Sequence, residues 1–166
     1  LRSFCHQKNQ IINEEEVITT MNVMLSDGTS TKMFSIVDAD GPGDPIITTD
    51  DLDANTTYSG TIEFLNQFED PAEDITAEVA EEDEEHQVFY VPSSSLNVTV
   101  DYNDQDANGN PLGLNFTLET GDASGGTLTI ILVHESDKNA PGVSDGDPTN
   151  AGGETDIEAA FEVDIL

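Results

Sequence analysis

Val17-Ile-Thr-Thr-Met-Asn-Val-Met-Leu-Ser-Asp-Gly-Thr-Ser-Thr-Lys-Met-Phe-Ser-Ile-Val37 decides the fold class. Residues 17–25 and 31–37 each alternate apolar and polar side chains, the period-2 signature of a strand with one buried face. Between them Ser26, Asp27, Gly28 and Thr29 carry an Asp-Gly pair, the residues a tight hairpin turn asks for. The pattern continues outward along the chain. Tyr58, Gly60, Ile62 and Phe64 share one face of a third strand, after a connection containing Pro42 and Pro45. Residues 88–91, 96–102, 112–118, 127–134 and 157–165 supply the remaining alternating runs, separated by turns rich in Gly, Asp and Asn. This spacing predicts an all-β fold, an antiparallel two-sheet sandwich of about eight strands rather than an open sheet.

One segment breaks the alternation. Asp70 has the chemistry of a helix N-cap and Pro71 suits the first helical position. The following run is rich in Ala and Glu, with apolar residues at Ala72, Ile75 and Val79. A single inserted helix over about 71–85 follows, with Glu78, Glu81, Asp83 and Glu85 on its solvated face.

Composition narrows the function classes. The 166 residues suffice for one domain with a real core, and no stretch approaches the ~20 apolar residues that span a bilayer. There are 35 acidic residues against 4 basic ones. Arg2 and Lys8 fall in the first 16 residues, so the domain over 17–166 carries only Lys32 and Lys138 as fixed positive charges. Such a surface repels nucleic acid phosphates and attracts cations, so a nucleic acid partner is set aside. Two readings of the charge remain, adaptation to salty surroundings and the handling of divalent cations, and they are compatible.

Cys5 is the only cysteine, so no internal disulfide can staple the fold. Followed by a polar arm over 1–16 and a β domain, it matches the layout of a bacterial lipoprotein whose covalent lipid holds it at a membrane. The alternative is an exposed free thiol on the arm. Phe4 is larger than the residues signal peptidases prefer at a cleavage point.

Two constellations could hold an ion. Helical advance brings positions 82 and 86 close to the azimuth of Ile75, so Glu82 and His86 are expected near the apolar stripe, one turn apart. On the strand from Thr127, alternation places Leu128, Ile130, Leu132 and His134 on one face, so His134 ends an inward row. Glu82, His86 and His134 together would suit zinc, copper or iron. The plainer alternative is that each histidine finishes a core row by hydrogen bonding. The second constellation is Asp101, Asn103, Asp104, Asp106 and Asn108 with Gly109, alternate oxygen side chains resembling the first half of a calcium loop. Counted from Asp104, the bidentate Glu an EF-hand requires at position 12 is Asn115, so that motif is rejected. The expectation is weak calcium binding in a hairpin turn, against an ordinary Asn-Gly turn. Asp38, Asp40, Gly41 and Asp44 repeat the acidic turn, as do Asp145, Gly146, Asp147 and Asn150.

Catalytic templates are absent from the sequence. It holds no Gly-x-Ser-x-Gly, His-Glu-x-x-His or phosphate-binding glycine loop, and the expectation is a protein that is not an enzyme.

Asn13-Glu-Glu-Glu-Val-Ile-Thr-Thr20, residues 52–60 (Leu-Asp-Ala-Asn-Thr-Thr-Tyr-Ser-Gly), Glu84-Glu-His-Gln-Val-Phe-Tyr90, His134-Glu-Ser-Asp-Lys138 and Asn150-Ala-Gly-Gly-Glu-Thr-Asp-Ile157 carry a resemblance. The chain resembles a family of small lipoproteins of Bacteroidota, mostly flavobacteria, often labelled type 1 periplasmic binding fold superfamily proteins. The α/β fold in that label conflicts with strands almost throughout 166 residues, so only the lipoprotein class carries over. What the resemblance implies is a lipid-anchored outer-membrane protein with Cys5 as the lipid-bearing residue; of the two faces, the cell surface is expected over the periplasmic one. It further implies a TonB-dependent receptor as partner, and so a substrate-binding or accessory role in uptake. The alternative from another class is an adhesin-like surface module rigidified by calcium. A glycan on the sandwich edge is a third reading; Trp is absent, which leaves Tyr58, Tyr90 and Tyr102 for stacking.

Overall fold

The structure, a computed structural model, describes residues 16–38 and 43–166. Cys5 and the rest of residues 1–15 lie outside the described residues, as do Asp40, Gly41 and Pro42 of the first acidic turn.

The chain is all-β, with two antiparallel sheets and one helix. In order it forms β1 (Thr20–Ser26), β2 (Thr31–Val37), β3 (Ile46–Thr49), β4 (Thr57–Asn66), β5 (Glu73–Asp74), α1 (Ile75–Glu81), β6 (His86–Pro92), β7 (Val98–Tyr102), β8 (Asn115–Thr120), β9 (Ser124–His134) and β10 (Glu154–Ile165). The larger sheet runs β3-β2-β1-β4-β8-β7, with β5 added on β4; the smaller runs β10-β9-β6. The two strands beyond the expected eight are short. β5 has two residues, and β3 is an Ile-Ile-Thr-Thr edge strand inside what the sequence suggests is a connection.

The opening hairpin forms as its turn chemistry dictates. Gly28 takes a φ of +91°, and the Asp27 carboxylate accepts from the backbone N–H of Thr29 and of Ser30. Met21, Val23 and Leu25 of β1 then face Phe34 and Ile36 of β2 in one buried row. Across the layers lie Val88, Tyr90, Leu128, Ile130, Leu132, Phe161 and Val163, and the rings of Phe34 and Phe161 meet at 5.4 Å. Each such large apolar side chain contributes about 1.5–3 kcal/mol by leaving water, so this interlayer core holds the two sheets face to face. Gly60 is required by packing: its partner on β8 is Phe116, whose ring would overlap a Cβ at position 60.

The smaller sheet is covered on its outer face too. Phe89 and Val133 pack there on Val143 and Ala151 from the connection between β9 and β10, which contains two short 3-10 turns. Being buried on both faces, β6 is the most enclosed strand beside the histidines.

The helix is shorter than expected and starts later. Asp74, not Asp70, is its N-cap, accepting from the Thr76 N–H, and Pro71 lies ahead of it after a cis Asp70–Pro71 peptide. Ile75 and Val79 are its buried stripe. Glu82 caps the C-terminus, and one further turn, closed by the His86 N–H on the Glu82 carbonyl, leads into β6. His86 is therefore a strand residue.

Candidate metal centre

The three strands of the smaller sheet share one end of the sandwich: His86 opens β6, His134 closes β9 and Glu154 opens β10. In register, His134 lies opposite His86 on one side and Glu154 on the other. Directly opposed residues on adjacent strands project from the same face, at roughly the 4.8 Å strand spacing. The two imidazoles accordingly stack, with centroids 4.4 Å apart and planes 8° from parallel.

Two carboxylates complete the group. The register of β10 on β9 shifts between Thr155 and Ile157, leaving Asp156 as the extra residue of a bulge. A bulge re-aims a side chain, and Asp156 Oδ2 lies 3.6 Å from His86 Nε2. Gly153 makes the approach feasible. It sits at φ +65°, and a Cβ there would overlap the His134 carbonyl oxygen. Glu16 arrives from the other layer, four residues ahead of β1, with Oε2 3.3 Å from the same His86 Nε2. Ligand atoms of Glu16, His86, His134 and Asp156 all lie within 4.8 Å of one another. The group is enclosed: His86 is 0 % exposed and His134 5 %, and the Glu16 and Asp156 side chains are 7 % and 6 %.

The hydrogen-bond pattern assigns the imidazole of His86. Its Nδ1 lies 3.2 Å from the Glu82 carbonyl oxygen, which can only accept, so Nδ1 carries a proton. The Nε2 lone pair then points at two carboxylate oxygens. Three lone-pair donors facing one another require a cation between them, either a shared proton or a metal ion. The ionisation reflects this. Burial depresses the His86 basicity, but the carboxylates of Asp156 and Glu16 outweigh it and the pKa stands above its ordinary value. Burial raises the Glu16 pKa, with His86 opposing the rise and Asp156 adding to it. Asp156 Oδ2 is buried and accepts no hydrogen bond among the described residues. Its closest partner is His86 Nε2 at 3.6 Å, beyond hydrogen-bond length, and a buried oxygen without a hydrogen bond costs about 1–3 kcal/mol.

The sequence-predicted set is thus partly gathered. His86 and His134 meet. Glu82 touches His86 mainly through its carbonyl; its carboxylate is about half exposed, with Oε2 4.0 Å from Nδ1. Together with Glu85, whose Oε2 is 3.4 Å from His134 Nε2, Glu82 forms an outer, solvated group around the same His134. Glu16 and Asp156 were not expected. Glu16 stands in a run of three glutamates with nothing to single it out, and strict alternation back from Ile157 turns Asp156 away from the core.

The loop holding Asp101, Asn103, Asp104, Asp106 and Asn108 uses its oxygens otherwise. Asp104 accepts from the backbone N–H of Gly113 at 2.7 Å and of Asn115 at 2.9 Å. Asp106 accepts from the N–H of Asn108 and Asn110 and from Lys138 Nζ at 3.1 Å. The Asn103 amide donates to Thr117, and Asp101 and Asn108 are exposed. No three carboxylate or imidazole groups converge there among the described residues. In the third acidic turn Asp147 caps the second 3-10 turn by accepting from the Thr149 N–H. Tyr58 and Tyr90 are buried and offer no open face for stacking, and Tyr102 is half-buried with its hydroxyl donating to the Val88 carbonyl.

Lys138 braces the centre from behind. Its buried ammonium donates to Asp106, to the Pro111 carbonyl and to the Asp83 carbonyl in the turn that presents His86.

Fold and site together define an acidic β-sandwich with two stacked imidazoles and two carboxylates enclosed at one end. No protein-family model, curated protein or solved structure matches the chain.

Proposed function

We propose that this protein captures a divalent transition-metal ion in the group formed by Glu16, His86, His134 and Asp156, and that it does so as a binding protein rather than an enzyme. The observation that carries this is the convergence of His86 Nε2 with Glu16 Oε2 and Asp156 Oδ2, the last of them accepting no hydrogen bond among the described residues. Two imidazoles with two carboxylates suit zinc or iron(II), since imidazole is a borderline ligand and carboxylate a hard one; to ligate one ion, the two rings turn out of their parallel stack so that both in-plane lone pairs reach it. A formal charge of −31 supports capture by concentrating cations around the surface. All four residues fall in stretches that carry the lipoprotein resemblance. With that goes the proposed setting: a lipid on Cys5, attachment to the outer membrane, and service to a TonB-dependent receptor.

Titration of metal-free protein with zinc sulfate tests the binding. One zinc per chain is expected, with affinity reduced at least a hundredfold by His134→Ala and by Asp156→Asn. Unchanged affinity in both variants would overturn the assignment. Mass spectrometry of the N-terminal peptide from membranes tests the setting, which fails if Cys5 carries no lipid.

A further inference from the structure

The four ligands do not come from one layer. His86, His134 and Asp156 belong to the hydrogen-bonded smaller sheet, whereas Glu16 is joined through residues 17–19 to β1 of the larger one. Resting on the metal-capture reading above, we propose that Glu16 is the exchangeable ligand. The bound ion ties the two sheets together through it, and enters and leaves when residues 16–18 lift from the end of the sandwich.

Enclosure calls for such a movement. The half-exposed carboxylates of Glu82 and Glu85 can receive an ion beside His134, but with all four ligand side chains at least nine-tenths buried it reaches Glu16, His86 and Asp156 only after some ligand-bearing segment opens. Three of the four ligands sit where opening is costly. His86 and His134 pair with each other across β6 and β9, β6 is covered on both faces, and β9 is the central strand of its sheet. Asp156 is held between paired residues Thr155 and Ile157. The turn before His86 is fixed by Lys138 on the Asp83 carbonyl and by the Ser136 N–H on the Glu85 carbonyl.

The Glu16 segment is different in kind. Among the described residues its first backbone anchor is the Thr19 N–H on the Leu65 carbonyl, reinforced by the Thr19 hydroxyl and the Gln67 N–H. Residues 16–18 precede the first strand, and Val17 is half exposed. Segments with few backbone hydrogen bonds open at low free energy, and here the opening that frees Glu16 has also to undock Ile18 from the edge of the core, so the hinge falls at Thr19. A metal–carboxylate bond from Glu16 would then close the only layer-to-layer link among the four ligands. The three ligands of the smaller sheet stay in place when it opens.

Two measurements test this on the intact chain. Hydrogen exchange followed by mass spectrometry, with and without one equivalent of zinc, should show slowed exchange in the peptide covering residues 16–19 and little change in β9. Stopped-flow transfer of zinc to a chelator should run at least tenfold faster from Glu16→Gln than from wild type, with one zinc still bound per chain. If wild type binds zinc but exchange at 16–19 is unaltered, or Glu16→Gln releases zinc at the wild-type rate, the exchangeable-ligand proposal falls and metal capture stands. If wild type binds no zinc, both fall.

Discussion

His86 is the residue on which the site turns. Its Nδ1–H is committed to the Glu82 carbonyl, so Nε2 is left to a proton or an ion, and the two carboxylates make either occupant favourable. His86→Ala should therefore abolish zinc binding, whereas Glu82→Gln, which keeps the carbonyl, should change affinity by less than threefold; isothermal titration of both variants checks the contrast. Asp106 gives a second residue-scale expectation. Burial pushes its pKa up, but the Asn110 N–H and the Lys138 ammonium outweigh that and hold it below the usual carboxylate value of 3.8. The stability it contributes is thus fully present above that value and is lost as pH falls through its lower, folded-state pKa. Asp106→Asn should destabilise the protein at pH 7, and the difference from wild type should shrink below about pH 4 in denaturant melts. Lys138→Met should cost about 3–5 kcal/mol at neutral pH, because it strands a buried carboxylate.

At the scale of elements, glycine and the bulge decide what the side chains can do. Gly153→Ala would collide with the His134 carbonyl, so it should lower the melting temperature and weaken zinc binding together. Gly60→Ala, remote from the centre on β4, should cost about 1–3 kcal/mol by displacing the Phe116 ring while leaving zinc affinity unchanged. These elements also show how far sequence goes. The hairpin around Asp27 and Gly28 is legible because period-2 alternation and turn chemistry agree. The helix is misplaced because Asp70 followed by Pro71 reads as a cap and a first helical position; the true cap is Asp74, and Pro71 lies outside. His86 and His134 are legible as ends of buried rows, though His86 reaches its place on a strand rather than a helix. Asp156 is not legible, because a bulge reverses the parity on which strand reading depends, and Glu16 is not, because its contact spans 70 positions of sequence.

For the whole molecule, charge and the interlayer core oppose each other. Thirty-five acids against four bases repel at close quarters, and screening extends over about 10 Å at 0.1 M salt. The melting temperature should rise with sodium chloride between 10 mM and 1 M, as calorimetry would record. A divalent ion at the centre acts more specifically. At a free concentration a hundredfold above its dissociation constant it adds about 2.7 kcal/mol, or about 5–10 °C for a chain of this length. That gain should persist at 1 M salt, where screening of the surface is complete, and vanish in His134→Ala.

X-ray absorption at the zinc edge of the stoichiometrically loaded protein tests metal capture most directly. Scattering from two imidazoles and from carboxylate oxygens, all at about 2.0–2.2 Å, is the predicted result. A zinc environment without imidazole, or with only water and surface carboxylate oxygens, would contradict it.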